Sequence, residues 1–262
     1  MKDKVVIITG ASSGIGAELA RQLGRMSAKL VLAARNEEKL LAVAEHLHGA
    51  VIVPTDVTDE AQCKRLIDTA IKQFGKIDIL VNNAGISQWA MFEDITDISL
   101  FKTIMDVNFH GTVYCTHHAL PHLKKSKGLI VGISSLTGKV GVPTRTAYSA
   151  SKHAMEGFLN ALRIEQMENG VDISIISPGF VQSEVRKNAI GVDGNPIGKS
   201  HLDESSIMTV EEAVMAIIVA MEKRKRDVII ASARSRLMPL LKAFMPQRLD
   251  KIILKGIKDG QS

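Results

Sequence analysis

The feature that most constrains the fold is a regular alternation between short apolar segments and amphipathic helical patterns. The apolar segments are rich in Val, Ile and Leu and have the length of strands: VVIITG, KLVLAA, AVIVPTD, DILVNNAG, GLIVGISS, DISIISPG and DVIIA. Near-continuous apolar strands separated by helices are typical of a parallel sheet that helices cover on both faces. The sequence therefore predicts an α/β fold built on a doubly wound, seven-stranded parallel sheet.

Helical patterns fill the intervals, at about 14–26, 36–47, 59–74, 98–122, 146–168 and 210–223. No linker or internal repeat divides the chain, so we expect a single domain over residues 1–262. Residues 186–206 are irregular and glycine-containing, and their place after a strand predicts a substrate lid. The tail at 238–262 is basic and amphipathic. It could lie on a membrane surface, on a partner subunit or on its own domain.

The composition excludes several classes of protein. The net charge is +5, but the basic residues are scattered and aromatic residues make up only 4% of the chain, so we expect no nucleic-acid partner. No run approaches the roughly 18 apolar residues of a membrane span, and the N-terminus lacks the pattern of a secretory signal. The chain has two cysteines, Cys63 and Cys115. We therefore expect a reduced protein without disulfides, located in the cytoplasm.

The segment TGASSGIG follows the first strand and opens the first helix, which is where a phosphate-binding loop is found. Gly10 permits a tight turn, Gly14 lets the backbone approach a pyrophosphate, and Gly16 allows close packing of helix on strand. The helix N-terminus then offers N–H groups and a positive dipole end to phosphates. A glycine-rich turn without a ligand is the alternative. The other loop residues assigned to this dinucleotide site are Ser12, Ser13 and Ile15.

The end of the second strand, LAARN, bears on the choice of dinucleotide. A site for NAD would place an acidic residue about 20 residues after the glycines, to bind the ribose hydroxyls. That point holds Ala34 and then Arg35, and no acid lies between Lys29 and Asn36. A guanidinium can pair with the 2′-phosphate of NADP(H), although it could also be a solvated residue at a strand end. Arg35 therefore predicts NADP(H) rather than NAD(H), and Asn36 beside it is assigned to the cofactor site.

Asp56 ends the third strand in PTDVTD. Its carboxylate could accept a hydrogen bond from an adenine amino group, with Val57 beside it. It could instead cap the next helix, as Thr58 or Asp59 could.

Tyr148 and Lys152 are four residues apart, a spacing that places both side chains on one face of a helix. A free tyrosine has a pKa near ~10. An ammonium ~4 Å away could favour the phenolate by up to about 4 kcal/mol at an effective dielectric near 20. The pair therefore predicts a tyrosine that exchanges protons, with its pKa lowered by Lys152. Alone the pattern is weak, because any amphipathic helix can carry it.

Several motifs occur in the order that resembles the short-chain dehydrogenase/reductase family, from Lys4 to about residue 232. The matching segments are TGASSGIG, Asp56, NNAG, VNFHG, ISSLTG, YSASK and PGFVQS. LAARN and the long region after PGFVQS are most similar to the steroid- and retinoid-dehydrogenase-like branch. Ser13 stands where many NADP-dependent members have a basic residue, which leaves Arg35 as the main basis for NADP(H). The resemblance implies a Rossmann-like fold and adds the cofactor-binding residues Asn83, Ala84, Gly85, Tyr148, Lys152, Pro178, Gly179, Val181 and Ser183.

The resemblance also implies a reaction, the interconversion of a ketone or aldehyde and its alcohol by hydride transfer. Tyr148 would pass its proton to the substrate oxygen, and Lys152 would hold the nicotinamide ribose. Ser135 would stabilise the charge that develops on the oxygen, with Ser134 as the alternative. Asn108 would anchor a water that links Lys152 to solvent; a helix-interior Asn bonded to backbone is the alternative. A non-catalytic NADP(H)-binding protein on the same fold remains the rival function.

Other predictions concern the substrate, metals and assembly. Trp89 and Phe180 are candidate walls of a substrate pocket, although Trp89 could be a lone surface aromatic. The three histidines His117, His118 and His122 are not accompanied by the further ligands of a metal site, so no metal is expected. The family usually pairs its helices at about 98–122 and 146–168 across two-fold axes, which implies a homodimer or homotetramer.

Overall fold

The computed structural model describes residues 1–182, 188–198 and 207–258. In this part of the chain seven strands form one sheet, in the order β3-β2-β1-β4-β5-β6-β7, and every neighbouring pair is parallel. The strands are β1 (Val5–Thr9), β2 (Lys29–Ala34), β3 (Val51–Pro54), β4 (Ile79–Asn82), β5 (Leu129–Ile133), β6 (Asp172–Pro178) and β7 (Asp227–Ile230). The predicted fold class is confirmed.

The α-helices of the described ranges are α1 (Gly14–Arg25), α2 (Glu37–Ala44), α3 (Glu60–Phe74), α4 (Leu100–Met105), α5 (Gly111–Ser126), α6 (Thr146–Glu165), α7 (Val210–Glu222), α8 (Ala233–Arg236), α9 (Met238–Phe244) and α10 (Pro246–Lys258). The single helix predicted at about 98–122 is wrong in detail, because a π-helical segment, Asp106–His110, interrupts it. Such widened turns inside helices are frequent at functional sites. Here the widened turn contains Asn108.

The core has two layers, one on each face of the sheet. Along β1, Val6 and Ile8 join the cluster formed with α1 and α7, whereas Ile7 joins the cluster formed with α3, α5 and α6. All five residues of β1 are buried. Since successive strand side chains point to opposite faces, a strand buried on both faces needs a continuous apolar run, which VVIIT supplies.

The strand order creates a crevice above β1. The chain builds β1, β2 and β3 outward on one side of the sheet, and β4 to β7 outward on the other. In open α/β sheets, ligands bind beyond the carboxyl ends of the strands at the point where this order reverses. A ligand site is therefore expected at the loops that follow β1 and β4.

Residues 188–198, the described part of the predicted lid at 186–206, are held by backbone hydrogen bonds. The Ile190 amide donates to the Ser87 carbonyl over 2.9 Å, and the Trp89 amide donates to the Ile190 carbonyl over 2.8 Å. Thr96 also donates to the Val192 carbonyl through both its amide and its hydroxyl. This stretch is therefore tied to the segment that follows β4. The remainder of the predicted lid lies outside the described residues.

Both cysteines are free and buried, Cys63 on α3 and Cys115 on α5. The Cys63 thiol donates to the Val57 carbonyl over 3.4 Å. The neighbouring Cys63 thiol and burial together raise the pKa of Cys115. Among the helices described, none is both long and apolar enough to cross a bilayer.

Candidate active site

One cleft of about 2260 Å³ lies at the carboxyl ends of the strands. The residues predicted from sequence that line it are Gly10, Ser12, Ser13, Ile15, Arg35, Asn36, Asp56, Val57, Asn83, Ala84, Gly85, Ser135, Tyr148, Lys152, Pro178, Gly179, Phe180 and Val181. Gly14, Gly16, Asn108 and Trp89 are not part of its wall. Ser183 lies outside the described residues. The fold thus gathers most of the predicted residues around one space.

The glycine loop is shaped by close backbone contacts. Gly10 has a φ of +66°, and a Cβ there would lie 2.8 Å from the Ala84 Cα. A Cβ on Gly16 would lie 2.3 Å from the Gly10 carbonyl oxygen. Any side chain at either position would therefore push the loop away from the helix or from the segment after β4. The result is a cradle in which the N-terminus of α1 opens on the cleft.

Thr9 fastens this cradle to the loop that follows β4. Its hydroxyl oxygen accepts hydrogen bonds from the amides of Asn83 and Ala84, both over 3.0 Å, and donates to the Val81 carbonyl. The Asn83 side-chain amide donates to the Thr9 carbonyl over 2.9 Å. Since Thr9 is 2% exposed, these bonds are shielded from water. The NNAG motif therefore positions the glycine loop as well as lining the cleft.

The far end of the cleft, beside β2, is basic. Arg35 is exposed on the cleft wall, and within the described residues it forms no hydrogen bond or ion pair. Asn36 caps α2, because its side-chain oxygen accepts from the Lys39 amide over 2.8 Å. The Lys39 side chain also lines the cleft. Lys39 was not among the residues predicted from the sequence, although its place in the first turn of a helix beside Arg35 marks it as a second cation at this end of the cleft.

The contacts of Asp56 decide one of its two predicted roles, the cap of the following helix. Asp59 is the residue that caps α3, through a hydrogen bond from the Gln62 amide. The Asp56 carboxylate instead accepts from the amide and the hydroxyl of Thr58, over 2.9 and 2.8 Å, and lines the cleft. Asp56 is therefore not the helix cap, and its predicted contact with adenine stays a prediction.

At the other end of the cleft, the Ser135 hydroxyl acts on the Tyr148 hydroxyl and lowers its pKa, opposing the effect of burial. Ser135 follows β5, and its Oγ also accepts from the Thr137 amide over 3.2 Å. Ser134 is buried, and its hydroxyl donates to Glu156 over 2.6 Å. The serine that contacts the tyrosine is thus the second of the pair.

The acidity of Tyr148 differs from the sequence-based expectation. Burial raises the pKa of the Tyr148 hydroxyl above its usual value, and the Ser135 hydroxyl and the charge of Arg145 oppose this rise. Lys152 was predicted to lower that pKa, and this prediction is wrong for the arrangement seen here. The Lys152 ammonium donates to the Ile133 carbonyl over 2.8 Å and lies 5.8 Å from the centre of the tyrosine ring.

Lys152 is itself perturbed and belongs to a chain of charges that sequence reasoning missed. Burial lowers its pKa from 10.5 to about 8, while the negative charge of Glu156 acts in the opposite direction. Glu156 is one helical turn beyond Lys152 and forms an ion pair of 2.8 Å with Lys139, which in turn pairs with Asp227 over 2.6 Å. Glu156 therefore stabilises the charged, ammonium form of Lys152, and a positive charge beside the tyrosine is what a proton-transfer site needs.

Asn108 joins the β4 loop to α6. Its Oδ1 accepts from the Ile86 amide over 2.9 Å, and its Nδ2 donates to the Ile86 carbonyl over 3.0 Å and to the Ser151 hydroxyl over 2.9 Å. The alternative of an asparagine bonded to backbone therefore describes these contacts, although the backbone is that of Ile86 in another segment and not that of its own helix. Its predicted water-anchoring role stays a prediction.

Trp89 is placed differently from its candidate role as a pocket wall. Its ring packs against the guanidinium of Arg145, whose central carbon lies 4.6 Å from the ring centre. The Arg145 side chain is buried and also donates to the Ser87 hydroxyl and the Gln88 carbonyl. A cation stacked on an aromatic face can stabilise a buried charge. Trp89 thus supports Arg145, the residue whose positive charge opposes the rise in the pKa of Tyr148.

The cleft wall also includes residues of the C-terminal helices. Its apolar side chains include Ile86, Val142, Phe180, Ile190, Met238 and Ile252. Lys242 of α9 donates to the Lys139 carbonyl over 2.9 Å. The described tail therefore packs at least partly on its own domain. No group of three or more metal-ligating side chains is found among the residues described.

The family model described as short chain dehydrogenase matches residues 4–191 of this chain. The Arabidopsis thaliana protein 11-beta-hydroxysteroid dehydrogenase-like 2 is 45% identical over 187 residues, which cover 70% of this chain and 60% of that protein. The Dictyostelium discoideum protein Dehydrogenase/reductase SDR family protein 7-like is 36% identical over 259 residues, with 95% and 80% covered. The chain thus spans about 60% of the length of the plant relative.

A solved structure extends the similarity over nearly the whole chain. The short chain dehydrogenase of Burkholderia cenocepacia, crystallised in complex with NADP, superposes with a TM-score of 0.82 at 27% identity. The match covers 97% of this chain and 98% of that one. The architecture of the sheet and its helices is therefore shared from end to end.

Proposed function

The chain belongs to the short chain dehydrogenase family of oxidoreductases, and from this premise we propose that it interconverts a carbonyl and its alcohol with NADP(H). The observation that carries the proposal is that two groups of residues line the same cleft. A glycine cradle at the N-terminus of α1 lies at one end, and Ser135 and Tyr148 lie at the other. A cleft of this kind accommodates a dinucleotide with a reacting group beside the tyrosine.

The residues present fit a dinucleotide cofactor. The cradle leaves no room for a Cβ at Gly10 or Gly16, which brings backbone amides close to where a pyrophosphate would be held. Arg35 and Lys39 offer two positive charges at the opposite end of the cleft, where a 2′-phosphate would lie. Lys152 would hold the nicotinamide ribose. When bound, the nicotinamide supplies or accepts a hydride.

The chain's own residues would handle the proton and the charge on the substrate oxygen. The raised pKa of Tyr148 keeps its hydroxyl protonated at neutral pH, so that it can donate a proton during reduction. Ser135 would donate a hydrogen bond to the same oxygen and stabilise its developing negative charge. Asn108 fixes Ile86 relative to Ser151, which keeps the β4 loop in register with the helix of Tyr148.

The rival function is a non-catalytic protein that binds NADP(H). Such a protein needs the cradle and Arg35, and it has no need for a tyrosine and a serine that face the same cleft or for the charges around Lys152. Burying the Lys152 ammonium costs stability even with Glu156 nearby, and a protein that only binds the cofactor gains nothing in return. These groups therefore favour an enzyme.

The substrate proposal rests on the apolar side chains of the cleft wall. A cleft lined by aliphatic and aromatic side chains favours a partly hydrophobic carbonyl, such as a steroid, a lipid-derived ketone or an aromatic aldehyde. Relatives named for 11-beta-hydroxysteroids are consistent with this class. Phe180 is proposed as a substrate contact, and Ser183 as a cofactor contact.

A screen of purified protein with NADPH across such carbonyls tests this proposal. We expect NADPH oxidation, followed at 340 nm (the usual absorbance of the reduced nicotinamide), with at least one apolar ketone or aldehyde and little with small polar ones. Each hit is checked by detection of its alcohol. If NADPH binds but no carbonyl is reduced and no alcohol is oxidised with NADP, the non-catalytic rival is favoured.

Three further expectations belong to the same proposal. The protein would act in the cytoplasm as a homodimer or homotetramer, paired through the helices around α4, α5 and α6. The stretch at 186–206 would close over bound substrate. Its described part contributes Asn188, Ile190, Gly194 and Pro196 to the cleft wall, which supports that role.

A further inference from the structure

The net charge of this chain is carried by its C-terminal end. Residues 1–232 contain 26 Lys or Arg and 26 Asp or Glu, whereas residues 233–262 contain seven Lys or Arg and two Asp. The last segment therefore accounts for the whole net charge of +5. A neutral body with one strongly basic end presents an attractive surface to polyanions in a single direction.

The helices of this end also expose apolar side chains. Leu237, at the N-cap position of α9, and Leu240 and Phe244 within that helix fall at helical spacing and are 55%, 57% and 76% exposed. Side chains at this spacing form a stripe on one face of a helix. We refer to these three residues as the apolar stripe.

The neighbouring helix α10 carries a basic stripe of the same spacing. Arg248, Lys251 and Lys255 are all exposed and lie on one face of α10. Leu249, on another face of that helix, is 2% exposed, and α10 packs on α9. The helix is thus held by one face while its cations remain available to a partner.

From this arrangement we propose that α9 and α10 dock the protein on an anionic lipid surface. Apolar side chains flanked by Lys and Arg on short amphipathic helices are what interfacial binding requires, since the stripe enters the acyl boundary while the cations meet the headgroups. A second copy of this chain fits less well, because two surfaces with the same positive charge repel each other. Met238 and Ile252 of these helices line the cleft, so docking would turn the cleft rim towards the lipid.

Vesicle co-sedimentation of the full chain tests the proposal. We expect binding to vesicles of phosphatidylcholine with phosphatidylglycerol, little binding to phosphatidylcholine alone, and loss of binding in high salt. Arg248→Glu with Lys251→Glu, and separately Leu240→Ser with Phe244→Ser, should each weaken binding by about tenfold or more.

Matched variants outside the surface serve as controls. Lys223→Glu with Lys225→Glu makes the same change of charge just beyond α7, and Leu41→Ser removes an apolar side chain that is 54% exposed on α2. Both should bind vesicles as the wild type does, and the unfolding temperature of every variant verifies folding. Equal binding by all variants overturns the proposal. It is also overturned if the wild-type protein does not bind the anionic vesicles. A concentration-dependent dimer in light scattering that Leu240→Ser with Phe244→Ser abolishes would then assign this surface to a second copy of the chain.

Discussion

Tyr148→Phe is expected to lower turnover by about 10²- to 10⁴-fold, the range that general acid catalysis contributes. The substitution removes only the hydroxyl, so that the ring and the packing of α6 are retained. Because the lost interaction acts on the proton transferred in the transition state, kcat and kcat/KM should fall together while NADPH affinity is largely kept. Steady-state rates with an accepted carbonyl and a fluorescence titration with NADPH measure the two effects.

Tyr114→Phe is the matched control, since Tyr114 is the other of the chain's two tyrosines and packs against the α3–α5 side of the core. It should leave turnover nearly unchanged. Near-normal turnover in Tyr148→Phe would mean that another group supplies the proton, and the proposed mechanism would be wrong.

Arg35→Ala is expected to weaken NADPH binding by at least about tenfold and to leave NADH binding nearly unchanged. A guanidinium forms charge-assisted bonds with a 2′-phosphate, and NADH has no such group. Lys39 lines the same end of the cleft and can supply part of the charge. The loss in Arg35→Ala should therefore be smaller than the loss when Lys39→Ala is added.

Lys29→Ala controls for the loss of a positive charge, because Lys29 is exposed at the opposite end of the same strand. It should bind both cofactors as the wild type does. If the wild-type protein binds NADH more tightly than NADPH, the assignment of NADP(H) is contradicted.

The strands were predictable because each is a local feature of the sequence. A strand buried on both faces must be apolar at every position, and β1 meets that condition from Val5 to Ile8. The turn after β1 was predictable for the same reason, because the glycines of TGASSGIG are close together in the sequence. The break in the predicted helix at 98–122 was not predictable, because it accompanies contacts between Asn108 and Ile86, which are 22 residues apart.

The site shows the same division between local and long-range information. Tyr148 and Lys152 are four residues apart, so their common face follows from helical geometry. The pKa of the tyrosine does not, because it depends on Arg145, whose charge is supported by Trp89 from a different segment. Lys139 and Asp227 are 88 residues apart, and no local pattern links them to Glu156. Electrostatic environment is thus the part of this site that only the folded chain reveals.

The most direct measurement of the central proposal follows the hydride itself. NADPH carrying deuterium at C4 of the nicotinamide is incubated with the wild-type protein and a carbonyl that the screen identifies, and the alcohol is analysed by mass spectrometry. The proposal predicts that deuterium from one of the two C4 positions is found on the carbinol carbon of the alcohol. In Tyr148→Phe, labelled alcohol should form only at the residual rate of that variant. An alcohol formed without deuterium from either C4 position would contradict direct hydride transfer, and with it the proposed function.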